Sequence, residues 1–130
     1  MQALKTYIVE DSQVIREGLI ATLEELAPVQ VVGASGDEAS ALSWLGEAGR
    51  ETDLVIVDIF LNSGSGLGVL RAAQGVAGHR RMVVLSNYAT PDIRRKCLEL
   101  GADRVFDKSN EIDALLSYCQ QLAEAGHTGS

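Results

Sequence analysis

The sequence predicts an α/β protein: a three-layer sandwich in which helices cover both faces of a parallel, five-stranded sheet. Three observations predict it. Short apolar runs alternate with longer amphipathic stretches five times along the chain. The run Leu54-Val55-Ile56-Val57 is continuous rather than alternating, as a central strand covered on both faces must be. Strands that follow one another through helices have to be parallel, with right-handed crossovers.

The elements follow in order. Tyr7-Ile8-Val9 is the first strand, and Ser12 to Leu26 follows it with Ile15, Leu19, Leu23 and Leu26 at helical spacing. Pro28 punctuates the end of that helix, and Val29-Gln30-Val31-Val32-Gly33 reads as the second strand. Asp37 is placed to cap a short helix carrying Ala41, Leu42 and Leu45. After the third strand, Asn62 to Gly68 is a Gly/Ser loop whose composition suggests mobility, and a helix with Leu67, Leu70 and Ala73 follows. Met82-Val83-Val84-Leu85 is the fourth strand. Thr90 then caps a helix with Pro91 at its first position, where no N–H is missed, and Gly101 ends it. Arg104 to Asp107 is a short fifth strand. The last helix starts from Ser109 or Asn110 and carries Ile112, Leu115, Leu116, Cys119 and Leu122 on one stripe. One domain over residues 1–125 with a flexible tail at 126–130 is the expectation.

Composition removes several function classes. The net charge of −7 makes nucleic acid and anionic membranes poor partners, because both require a positive face. No apolar run approaches the roughly 18 residues of a membrane span, and Met1 to Thr6 lacks the long apolar stretch expected of a secretory signal. Cys97 and Cys119 form no close pair and no Cys/His cluster, so they read as buried thiols. His79 has no visible partner, and Trp44 reads as half-exposed packing. Cytoplasm is the simplest compartment.

Chemistry is expected beyond the carboxyl ends of the strands. The first strand ends in Glu10-Asp11, the third in Asp58 and the fourth in Ser86, while Lys108 follows the fifth. Three carboxylates in one crevice repel each other, and a hard divalent cation relieves this; an all-oxygen site with few protein ligands suits Mg²⁺. Lys108 suits one phosphate oxygen and Ser86 can donate to another. A metal, an ammonium and a hydroxyl around one carboxylate form a device for moving a phosphoryl group onto it. Taken singly, each residue also has a plainer reading: Asp58 as a loop cap, Glu10-Asp11 as an N-cap pair, Ser86 as a turn former, Lys108 as a solvated cation. Gly64-Ser65-Gly66-Leu67-Gly68 resembles a dinucleotide loop only weakly, and Asp58 beside it would repel a pyrophosphate.

Together these residues resemble the receiver domain of two-component response regulators. The segments that carry the resemblance are Tyr7-Ile8-Val9-Glu10-Asp11, Leu54 to Ile59, Val83 to Asn87, Leu100-Gly101-Ala102-Asp103 and Phe106-Asp107-Lys108-Ser109. The resemblance implies a flavodoxin-like fold with strand order 2-1-3-4-5. It implies Asp58 as phosphoacceptor, and Asp11, Asp58 and the Phe60 carbonyl as Mg²⁺ ligands, with Glu10 acting through metal-bound water. It implies Ser86 as the switch hydroxyl and Lys108 as the phosphate-binding lysine. The donor would be phosphohistidine on a sensor histidine kinase or phosphotransfer protein. The output would be contact with a downstream protein, including a phosphorylation-dependent homodimer, without direct nucleic-acid binding. Two departures stand out. The family's aromatic switch position holds Val105, with Phe106 one residue later on the opposite face, and Ser109 replaces a common proline after the lysine, so a trans bond is expected there.

Three function classes compete. The first is a phospho-receiver, self-standing or cut from a longer DNA-binding regulator. The second is an aspartyl-phosphate hydrolase, which would want a second Asp where Phe60 stands. The third is a flavin binder, for which Glu10-Asp11 is electrostatically hostile. The first is favoured, with no turnover of exogenous substrates. Phe60 and Tyr88, each two residues past a site residue, are expected to flank the path of an attacking water.

Overall fold

A computed structural model describes residues 3–47, 52–61, 63–74 and 80–128. His79, Asn62 and the end of the expected tail, Gly129-Ser130, lie outside the described residues. Five strands and five helices alternate: β1 (Leu4–Val9), α1 (Gln13–Leu26), β2 (Val29–Ser35), α2 (Glu38–Gly46), β3 (Leu54–Val57), α3 (Gly66–Gln74), β4 (Arg81–Ser86), α4 (Pro91–Glu99), β5 (Arg104–Asp107) and α5 (Ile112–Thr128). All strand pairs are parallel, in the order β2-β1-β3-β4-β5. This is the flavodoxin-like sandwich that the sequence predicts. The last helix starts at Ile112, later than expected, because the Asp107 carboxylate and carbonyl first hold a turn through the Ser109 and Glu111 N–H groups. It then runs into the stretch expected to be a tail.

Period-two alternation sorts each strand's side chains between two cores. Tyr7, Val9, Val55, Val57, Val84 and Val105 face α2, α3 and α4. Ile8, Leu54, Ile56, Val83, Leu85 and Phe106 face α1 and α5. All four β3 residues are fully buried, as a central strand requires. Trp44 is half-buried and stacks on Tyr7 with ring centroids 4.8 Å apart. Local signals end the helices where chemistry demands. Ser12, Asp37 and Thr90 accept from the N–H three residues on, and Pro91 opens α4. Gly101 follows α4 with φ +103°, a conformation a side chain would strain. No cis peptide bond occurs among the described residues, so Lys108–Ser109 is trans.

Candidate functional site

The site forms where the sheet runs out. Hydrogen bonding continues one residue beyond the strands: Glu10 N–H donates to the Ser35 carbonyl (2.9 Å), Asp58 N–H to Val9 (2.9 Å) and Lys108 N–H to Ser86 (3.0 Å). These bonds hold Glu10, Asp58 and Lys108 on one rim at a common height, with Ser86 as the last residue of β4. Glu10, Asp58 and Ser86 are buried, although each is polar. Burial of that kind is costly without partners, so the partners identify the site.

Glu10, Asp11 and Asp58 each bring a carboxylate oxygen to within 4.8 Å of the others. The Lys108 ammonium lies among them. It donates to Glu10 Oε1 in a very short contact and to Asp58 Oδ2 at 2.9 Å. The remaining oxygens take backbone donors: Ser12 N–H to Glu10 Oε2 (3.2 Å) and Phe60 N–H to Asp58 Oδ1 (3.1 Å). Burial raises the pKa of Glu10, helped by the neighbouring Asp11, against the pull of Lys108 and the Ser12 N–H. Burial alone would lower that of Lys108, but its hydrogen bonds to Glu10 and Asp58 carry it upward. One ammonium among three acids leaves the cluster negative and made wholly of oxygen ligands. That donor set fits a hard divalent cation of the Mg²⁺ type.

Ser86 stands at the expected strand end, and its hydroxyl accepts from Tyr88 N–H (3.1 Å). Phe60 and Tyr88 are exposed and form an edge-to-face pair with centroids 5.2 Å apart, spanning the two loops that carry Asp58 and Ser86. Cys97 and Cys119 are buried, as expected.

Three supporting residues escaped the sequence reading. Arg16, on α1, donates to the Glu10 carbonyl (2.6 Å) and braces the loop carrying both N-terminal acids. Glu38, at the start of α2, accepts from Ser65 N–H at 2.7 Å and so caps α3 from another element. The glycines after Asp58 make room for these contacts. A Cβ at 64 or 68 would collide with the Glu38 side chain, and one at 66 would stand 2.7 Å from Ile59 Cα and closer still to the Asp58 carbonyl oxygen. The glycine spacing that suggests mobility therefore marks close packing. Arg94, on α4, binds three separate segments beside Ser86 and Lys108. No local pattern announces a partner so distant in sequence.

Comparison with known proteins agrees with this geometry. The family model described as the response regulator receiver domain matches residues 6–120. The chain is 30% identical over 123 residues to the cyclic di-GMP phosphodiesterase response regulator RpfG of Xanthomonas campestris, covering 93% of this chain and 32% of that protein. It is 26% identical over 99 residues to the DNA-binding transcriptional activator DevR/DosR of Mycobacterium tuberculosis, covering 76% of this chain and 45% of that protein. The chain thus spans less than half the length of these curated relatives. Among solved structures, the signal receiver domain of NarL from Mycobacterium tuberculosis superposes with TM-score 0.78 at 23% identity, over 92% of this chain and 98% of that one. A Burkholderia pseudomallei response regulator, solved with a phosphorylated aspartic acid and a calcium ion, gives TM-score 0.76 at 23% identity, over 97% and 73%. With a family match across most of its length and the fold to go with it, this chain belongs to the response regulator receiver domains of two-component systems.

Proposed function

We propose that Asp58 accepts a phosphoryl group from a phosphohistidine protein, a sensor histidine kinase or phosphotransfer protein, and that the chain signals through the resulting change in its protein contacts. The observation that carries this reading is Lys108, whose ammonium joins the Glu10 and Asp58 carboxylates at a rim that also holds Asp11. Asp11, Asp58 and the Phe60 carbonyl would hold Mg²⁺ directly and Glu10 through water. When bound, the ion offsets the charge of the acids and of the incoming phosphate oxygens.

The chain's own groups do the rest. An Asp58 carboxylate oxygen forms the new P–O bond while the P–N bond to the donor imidazole breaks, and the electron pair leaves with the imidazole, which takes a proton from solvent. Phe60 N–H keeps the carboxylate oriented. Lys108 neutralises one developing phosphoryl charge and Ser86 donates its hydroxyl to another oxygen. Phe60 occupies the place where a hydrolase would want its acid, so the chain promotes only its own phosphorylation and dephosphorylation. The Burkholderia neighbour, with phosphoaspartate beside a divalent cation, supports the same chemistry here.

No helix among the described residues is long and apolar enough to cross a membrane. A second reading makes this chain the receiver part of a longer DNA-binding regulator. It is favoured by the Mycobacterium relative, a DNA-binding activator of which the match covers 45%. The test of the proposed chemistry is incubation with acetyl phosphate and Mg²⁺, followed by intact mass. The chain gains one phosphoryl group and Asp58→Asn gains none; equal uptake by both would remove Asp58 from the role.

A further inference from the structure

We propose that Arg94 is a positioning residue whose hydrogen bonds couple the loop after Ser86 to the loop carrying Lys108. The inference rests on the phosphoacceptor reading of Asp58.

Arg94 lies in the first turns of α4 and its guanidinium is only partly exposed. Nε donates to the Ala89 carbonyl (2.9 Å), Nη1 to the Val105 carbonyl (3.0 Å) and Nη2 to Glu111 Oε1 (2.6 Å). Glu111 Oε1 in turn accepts from Asp107 N–H at 2.9 Å. One side chain thus ties the β4–α4 loop to β5 and to the turn that bears Lys108. A planar fork of donors can do this; a lysine, with one point of charge, cannot span all three acceptors. The side chains of β5 leave the task open, since Val105 packs into one core and Phe106 into the other.

The three attachments differ in how close they stand to the moving part. Ala89 is three residues from Ser86, and the Ser86 hydroxyl already holds Tyr88 N–H. A Ser86 hydroxyl drawn onto a phosphoryl oxygen on Asp58 either carries Tyr88 N–H with it or releases it. The first case draws the Tyr88–Ala89 segment along and the second frees it, and the proposed coupling is that this movement takes the Ala89 carbonyl off Nε. The attachments to Val105 and Glu111 lie on the β5 side and persist. Arg94 therefore resists the loop movement until Asp58 is phosphorylated. By linkage, removing a clasp that opposes the phosphorylated arrangement favours that arrangement by the same factor; with uptake proceeding through the minor, already shifted arrangement, the rate rises with its population.

The test uses the full chain, as wild type, Arg94→Ala and Arg94→Lys, with acetyl phosphate and Mg²⁺. Phosphoryl uptake is read by intact mass, and amide hydrogen exchange is read over residues 87–92 and 104–111. In wild type, phosphorylation raises exchange at 87–90. Both variants show that raised exchange beforehand, gain little more on phosphorylation, and take up phosphate about two- to tenfold faster, the range a single hydrogen bond of this kind carries. A mere structural brace would give slower uptake in the variants with the phosphorylation-linked rise intact, and that result overturns the inference. If Arg94→Ala does not fold, Arg94→Lys decides alone on the same two readouts. A wild type that takes up no phosphate removes the phosphoacceptor reading, and this inference with it; normal uptake with unaltered variants removes this inference only.

Discussion

Asp11→Asn should make the protein more stable while spoiling its site. Asp11 is half-buried, and its carboxylate lies within 4.8 Å of those of Glu10 and Asp58. At that distance each repulsion amounts to about 1 kcal/mol if water screens it fully, and to about 3.5 kcal/mol at an effective dielectric of ~20. The hydrogen bonds of Lys108 to Glu10 and Asp58 do not involve Asp11, so the substitution leaves them in place. Two such repulsions come to about 2–7 kcal/mol over that range, and the attraction that Asp11 loses to the Lys108 ammonium among the acids offsets about half of it, leaving about 1–3 kcal/mol of stability at pH 7, less what Asp11 gains from its own contacts. The assay is urea unfolding followed by circular dichroism, in EDTA and again in Mg²⁺. In EDTA, Asp11→Asn should unfold at higher urea than wild type. Wild type should then gain from Mg²⁺, by about 1.4 kcal/mol where the ion stands tenfold above its dissociation constant, while the variant gains far less. An Asp11→Asn protein no more stable than wild type in EDTA would refute the repulsion argument. An equal gain from Mg²⁺ in both proteins would refute the metal assignment.

Other consequences can be measured independently. Gly66→Ala forces a Cβ into the Asp58–Ile59 backbone and should cost about 2 kcal/mol or more, a fall of several degrees in Tm, whereas Gly18→Ala, in open space on α1, should stabilise by up to about 1 kcal/mol. Once phosphorylated, Phe60→Asn and Tyr88→Ala should lose phosphate faster than wild type if the aromatic pair flanks the path of an attacking water as expected; unchanged lifetimes in both would discard that role. Burial pushes the Cys119 thiol up to about 11 and raises Cys97 as well, so at pH 8 on the order of a thousandth of Cys119 is thiolate. Both should resist a disulfide reagent in the folded protein, with labelling climbing as pH rises toward 11, and react at once in denaturant. Rapid native labelling at pH 8 would contradict their burial.

The fold was legible because each strand is short, apolar and followed by a helix, and three of those helices open on caps of their own, Ser12, Asp37 and Thr90. The site was legible for a related reason. In a parallel sheet every strand delivers its last residue to the same rim, so Glu10, Asp11, Asp58, Ser86 and Lys108 could be grouped from order alone. Less accessible were contacts between elements that share no period. Glu38 reaches α3 across 27 positions and Arg94 reaches Glu111 across 17. The glycines at 64, 66 and 68 misled for the same reason: composition cannot separate a glycine that frees the chain from one that admits a neighbour. The departure at Val105 could be seen in the sequence, but the guanidinium that spans the gap could not.

On the proposed chemistry, Asp58 is the phosphoryl acceptor in a pocket that Lys108 and an oxygen-bound cation make receptive. Reductive trapping tests it most directly. After treatment with acetyl phosphate and Mg²⁺, borohydride converts an aspartyl phosphate to homoserine, and peptide mass spectrometry locates the product. Homoserine at position 58, absent when EDTA replaces Mg²⁺ and strongly reduced in Lys108→Ala, is the expected result. A product at Asp11 or elsewhere, or uptake indifferent to both Mg²⁺ and Lys108, would contradict the account.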